Sequence, residues 1–292
     1  MLLYIHIGLH KTGTTAFQQF CNKNSEKLRD LGFYYEHQTG YPAHHEIAWR
    51  LLEEDFQPAA AAIKAAKQAE CRACIFSSED MEGLLFRPQI AARFEKFVRH
   101  TLGVEQVVWI AAIREPGAYF KSLMYELTAH MFVDAYQNFH QVMRRGSLYF
   151  RSPRFEATAP PFWFFSFAAK RHLSAFMKVT SGKVRLVRYQ GFLPQPHDLL
   201  LPEIGAVTTG WRLVERSEIN ATPDLEIIAR RNVEHLIRYV KSYSEIERMN
   251  FQSGLIDRSV EGFRELELLA EIVSERFKPE FSSFLNEMNL GQ

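Results

Sequence analysis

Gly8-Leu9-His10-Lys11-Thr12-Gly13-Thr14-Thr15 sets two glycines, a histidine, a lysine and three hydroxyls into eight positions behind an apolar start. A loop of this kind ahead of a helix turns backbone N–H groups and the positive end of the helix dipole toward an anion. Lys11 adds a cation to that cradle. Two further groups could serve the same ligand: Arg114 with Ser122, eight residues apart in "REPGAYFKS", and Tyr189 in "RYQGF". Proton acceptors are also at hand in Glu79 and Asp80 of "FSSED", in His10, and in the pair His44-His45. Carboxylates and imidazoles are the side chains that take a proton from an attacking hydroxyl.

The glycine spacing is that of the phosphate loop G-x-x-x-x-G-K-[ST], but Thr14 occupies the lysine position. The cation sits instead at Lys11, two residues before Gly13. It therefore serves a part of the ligand other than a γ-phosphate.

Positioning these groups requires strands that end where the polar residues begin. Leu2 to Ile7 is an apolar run of the kind buried on both faces of a parallel sheet, and it stops at Gly8. From Thr14, Phe17, Phe20, Cys21, Leu28 and Leu31 recur at helical spacing, which predicts one helix up to Gly32. A second strand is expected at Ala73–Phe76, a third at Val107–Ile113 ahead of Arg114, and a fourth at Val184–Tyr189. Helices are expected over 43–56, 59–69 and 88–102, and again just behind Pro116. Residues 132–159 have no clean period and read as a loop or lid insertion, and Phe162 to Met177 reads as helical. Beyond Pro223 the pattern is helical, through Ile227 to Ile237 and then Phe263 to Phe284.

Alternating strands and helices imply a three-layer αβα fold on a parallel sheet, with its ligand crevice at the carboxyl ends of the strands. A chain of 292 residues fits one such domain: an α/β core over about 1–192, an insertion near 132–160 and a mainly helical part from about 223 to 292.

Composition narrows the function classes. A formal net charge of +1 gives no general reason to bind nucleic acid or membranes, so an anion site must arise from local clustering. No apolar run is long enough to span a bilayer, and Met1-Leu2-Leu3-Tyr4-Ile5 lacks the features of a secretory leader, so a cytoplasmic protein is expected. Three cysteines do not make a disulfide framework. Cys71 and Cys74 form a C-x-x-C at a strand entry, without the second pair that a structural zinc site needs.

The order of these elements resembles that of the sulfotransferases that use 3′-phosphoadenosine 5′-phosphosulfate (PAPS). "HKTGTT" resembles their 5′-phosphosulfate loop, and Arg114 with Ser122 matches in order and context the pair that holds the 3′-phosphate. "RYQGF" resembles a segment that lines the adenine, which brings Tyr189 forward. "FKPEFSSFLNEMNLG" looks like the tail of some bacterial members. The resemblance implies a P-loop-like fold, Lys11, Thr12, Gly13, Thr14, Thr15, Arg114, Ser122 and Tyr189 as donor contacts, and no required metal. It further implies that Lys11 aids transfer, that His10 orients the phosphosulfate, and that Glu79 or His45 is the base.

Two positions depart from the family. Ala16 follows the loop where many members carry an aromatic, and no R-K-G triplet occurs late in the chain, which leaves Arg230 and Arg231 as available third contacts to the 3′-phosphate. The acceptor class is open among saccharides, glycolipids and small molecules; of the aromatic stretches "SLYFRSPRF" and "PPFWFF", Tyr149 and the interleaved arginines are the candidates for an acceptor wall, while most of the phenylalanines read as core. A kinase or NTPase on the same fold is the competing enzyme reading. It is disfavoured by Thr14, and by Arg114 where a magnesium-binding aspartate would stand. A binding protein that keeps only the cradle is the non-catalytic alternative.

Overall fold

The protein is described from a computed structural model covering residues 1–36, 41–151, 160–191, 195–205, 210–216, 225–240, 254, 257–258 and 260–290. Five strands, β1 (Leu2–His6), β2 (Phe33–Tyr34), β3 (Ala73–Ser77), β4 (Gln106–Ile113) and β7 (Lys183–Arg188), form a parallel sheet in the order β2-β3-β1-β4-β7. Register is set by pairs such as Ile5 with Phe76 on one side and with Trp109 on the other. All carboxyl ends therefore lie along one edge.

Side chains alternate across the sheet. Leu3, Ile5, Phe76 and Trp109 pack on one face with Ile47 of α3 (His45–Leu52), Ile63 of α4 (Gln57–Gln68), Phe94 of α5 (Pro88–Leu102) and Phe176 of α8 (Ala169–Val179). Tyr4, Ile75, Val108 and Ile110 pack on the other with Phe17 and Phe20 of α1 (Thr14–Lys23) and Leu28 of α2 (Ser25–Asp30). Helices on both faces of a parallel sheet make the chain an αβα protein, as expected.

The helix from Thr14 is broken into α1 and α2 at Asn24. The Asn24 amide donates to the carbonyls of Phe20 and Arg212, both at 2.8 Å, and its oxygen accepts from the Arg212 N–H. An asparagine bonded to the backbone in this way competes with continuation of the helix.

The region expected as an insertion holds regular structure. Helix α6 (Pro116–Leu127) leads to α7 (Ala135–Arg145), which is capped by Asp134 and closed by Gly146 at φ 68°. Strand β5 (Ser147–Arg151) follows, and 152–159 lie outside the described residues. The stretch from Phe162 is not helical at its start. Residues Phe162–Ser166 form β6, antiparallel to β5, and α8 begins only at Ala169. Both faces of β6 are covered, so its aromatic run is continuous and lacks the alternation that marks a strand.

A second apolar cluster joins α6, α7 and the β5–β6 ribbon to Ile228 of α10 (Leu225–Val240) and Val273 of α11 (Leu266–Glu287). A short helix α9 (His197–Leu200) packs Leu200 beneath the α1 face. Among the described residues, no helix is long and apolar enough to cross a membrane.

Candidate functional site

The glycine loop leaves β1 at its carboxyl end and feeds α1. Lys11 is in the left-handed region at φ 59°, and Gly13 caps the helix at φ 81° without a side-chain cap. A Cβ on Gly13 would come within 3.1 Å of the Tyr189 ring, and one on Gly8 within 2.4 Å of the Thr14 hydroxyl. Gly13 is therefore demanded by its backbone path and Gly8 by space. Thr12 closes the turn by donating to the Leu9 carbonyl. The buried Thr14 hydroxyl has no hydrogen-bond partner. Thr15 is half-buried in the first turn.

The separate motifs meet at this loop. Arg114, at the tip of β4, donates to the Lys11 carbonyl at 2.9 Å while its guanidinium lies 5.2 Å from the centre of the Tyr189 ring. Tyr189 is itself held at the end of β7 by its N–H, which donates to the Ile113 carbonyl. Arg114 and Ser122 line one cleft of about 430 Å³ between α6 and α11, together with Lys121 and Ser274. That cleft also carries Glu115, Glu267 and Glu271, and Lys121 is paired with Glu267. Glu115 caps α6 by accepting from the N–H groups of Gly117 and Ala118.

Lys11 is not free. Its Nζ lies 3.1 Å from Glu126 Oε2, both side chains being roughly a quarter to a third exposed. Burial would push the Glu126 carboxyl upward, but the Lys11 charge and hydrogen bond win and hold its pKa below the ordinary value.

The proton acceptors form one chain of alternating charge. Asp80 Oδ2 accepts from His45 Nδ1 at 2.8 Å and from Trp49 Nε1 at 2.6 Å. His45 Nε2 stands 4.0 Å from Glu79, whose other oxygen accepts from Gln18 at 2.8 Å. His10 Nδ1 is 2.9 Å from Glu82 Oε2, and its Nε2 is 3.8 Å from Asp80. Burial disfavours the His45 imidazolium, yet its bond to Asp80 and the Glu79 charge raise its pKa above the usual histidine value. The same contest, against Asp80 and Glu82, lifts His10 to about 10. Burial also opposes ionisation of Asp80, and bonds to His10 and His45 overcome it and depress its pKa.

His44 separates from its neighbour. It is 2% exposed, its Nδ1 accepts from the Ser77 N–H, and burial lowers its pKa to about 4. It is a neutral strut against β3, whereas His45 is partly exposed and turned to Asp80 and Glu79. Arg230 and Arg231 are exposed on α10, whose Asn232 is bound to the Val133 backbone.

The aromatic ribbon touches the loop through Phe165, edge-on to His10 at 4.7 Å. Tyr149 instead stacks on Phe162 and meets Phe86 at a tilt. Cys71 and Cys74 are free buried thiols with pKa values pushed up by desolvation.

No family model, curated protein or solved structure matches the chain.

Glu82, Glu126 and Trp49 were not singled out from the sequence. A signal existed for Glu126, which stands four residues past Ser122 and so shares its helix face. Glu82 gave none, because its partners His10, Tyr119 and Ser166 come from three distant segments.

Proposed function

We propose that the chain is a cytoplasmic PAPS-dependent sulfotransferase with a P-loop-like fold, acting as one domain on a hydroxyl or amine of a saccharide, glycolipid or small molecule. The observation that carries this reading is the contact of Arg114 with the Lys11 carbonyl. Two motifs far apart in sequence, one for each end of a bisphosphorylated nucleotide, are joined by that hydrogen bond.

The residues present suit such a donor. The loop takes left-handed steps at Lys11 and Gly13, the Thr14 hydroxyl lacks a partner, and the Tyr189 ring lies against Gly13. When bound, the donor would supply an activated sulfuryl group. Lys11 and the loop N–H groups would hold its phosphosulfate end, Arg114 and Ser122 its 3′-phosphate, and Tyr189 its adenine. Displacement at sulfuryl, like phosphoryl transfer, draws mainly on positioning and charge stabilisation.

Of the two bases, His45 has the stronger support. Asp80 fixes its Nδ1 and so leaves Nε2 to take the acceptor's proton. Glu79 is engaged by Gln18 and adds a negative charge that favours the imidazolium once formed.

Thermal shift tests the reading. Adenosine 3′,5′-bisphosphate at a hundredfold excess over its Kd should add about 2.7 kcal/mol of stability, and ATP with Mg²⁺ should add nothing comparable. The opposite preference would overturn the assignment. A panel of acceptors with radiolabelled donor would then identify the substrate class.

A further inference from the structure

Glu82 is a carboxylate with 0% exposure, in the turn that follows β3. Four donors converge on it: the His10 N–H at 3.1 Å, His10 Nδ1 at 2.9 Å, the Tyr119 hydroxyl at 2.9 Å and the Ser166 N–H at 2.6 Å. They come from the glycine loop, from α6 and from β6. The other ring nitrogen of His10 faces Asp80 at 3.8 Å, and Phe165 covers the ring edge. An imidazole is thus held between two carboxylates, one wholly removed from water.

A buried imidazolium without an anion is costly, and Glu82 and Asp80 supply that anion on either side of the ring. We propose that Glu82 is the positioning residue of the glycine loop, fixing His10 as an imidazolium beside Lys11 and thereby setting the charge and shape of the anion cradle. His10 then has no lone pair for general-base work. Its place among the acid–base candidates becomes that of a fixed cation.

The charged groups around His10 are Glu82 and Asp80 in direct contact, with Glu126 on α6 and His45 on α3 within electrostatic reach. Removing Glu82 leaves Asp80 as the nearest anion at a longer distance. The elevated pKa of His10, about 10, should then fall.

The role in donor binding rests on the sulfotransferase reading, whereas the coupling of Glu82 to His10 does not. Nitrogen NMR of the imidazole rings in the ligand-free full chain reads that coupling directly. In the wild type, His10 should stay doubly protonated from about pH 6 to about pH 9, and in Glu82→Gln its titration should move down by at least about one unit. Titration of wild-type His10 near the ordinary value of about 6.5 would overturn the proposal, and this measurement needs no variant to fold.

Calorimetry with adenosine 3′,5′-bisphosphate gives the second readout. Glu82→Gln should weaken binding about tenfold, or about 1.4 kcal/mol, with Glu82→Asp recovering part of the loss. A variant with lowered thermal stability but unchanged affinity and unchanged His10 titration would make Glu82 merely structural. A wild type that shows the charged His10 but binds no bisphosphate would remove the sulfotransferase reading and leave the coupling intact.

Discussion

Asp80→Asn is the perturbation that decides whether His45 is the base. The carboxylate lies 2.8 Å from His45 Nδ1 and 2.6 Å from Trp49 Nε1, with its side chain only 8% exposed. Asparagine keeps the size and removes the charge. An opposite charge at this range displaces a histidine pKa by about 1–3 units, so that of His45 should drop by about 1–2 units in the variant. The sign follows from the chemistry: a base works when unprotonated, so wild-type turnover should fall as pH drops through a His45 pKa above the ordinary histidine value. In Asp80→Asn that acid limb should shift to lower pH. The plateau above it should also be lower, because the amide can donate to Nδ1 and so favour the tautomer that protonates Nε2. A tenfold to hundredfold loss, about 1.4–2.7 kcal/mol, is the expected size. The assay is sulfuryl transfer from labelled donor across about pH 5.5–9, with bisphosphate affinity measured alongside and expected to change little. An acid limb at the same pH in both proteins would refute the dyad. Loss of turnover in Glu79→Gln alone would then give the role to that carboxylate.

Two other outcomes test the electrostatics around the site. Glu126→Gln frees Lys11 from a partly exposed pair, a class worth up to about 1 kcal/mol, so adenosine 3′,5′-bisphosphate should bind about fivefold more tightly, while Lys11→Ala should weaken it. Equal or weaker binding by Glu126→Gln would show that Lys11 holds the anion without leaving its carboxylate. His44 is neutral when folded, with a pKa near 4 against about 6.5 unfolded, so its stabilising contribution is present above about pH 6.5 and is lost as pH falls toward 4. Between pH 7.5 and 5.5 the wild type should lose about 1.4 kcal/mol that His44→Gln does not, read from denaturant melts of both proteins at the two pH values.

What could be read from the chain depended on how local the cause was. The strands at Ala73 and Val107 are marked by apolar runs that stop at polar tips, and the sheet repeats those boundaries within a residue or two. Helix α5 ends where Gly103 adopts φ 58°, a stop that the glycine itself announces. Asn24 and β6 escaped because their causes are not local. The helix break depends on Arg212, 188 residues away, and β6 owes its strand form to pairing with β5. The site divides in the same way. Lys11, Gly13 and Arg114 belong to patterns of spacing, whereas Glu82 meets His10 only after β1 and β3 lie side by side, and Asp80 meets His45 only after α3 packs on the turn behind β3.

That division has an electrostatic consequence that a net charge of +1 conceals. Four cations near the strand tips are already matched: Lys11 with Glu126, His10 with Glu82 and Asp80, His45 with Asp80, and Lys121 with Glu267. Arg114 differs, since its near contacts are the Lys11 carbonyl and the Tyr189 ring. An incoming anion would therefore meet in Arg114 a cation that it can engage without displacing a carboxylate, and would take Lys11 and Lys121 only by exchange. Binding by exchange of ion pairs conserves much of the local charge, so its affinity should depend less on salt than the number of nearby cations suggests. The partly exposed pairs with Glu126 and Glu267 can open at low cost, while the buried pair of Glu82 with His10 cannot. The strand tips thus combine a fixed charge pair at the loop with exchangeable pairs on α6.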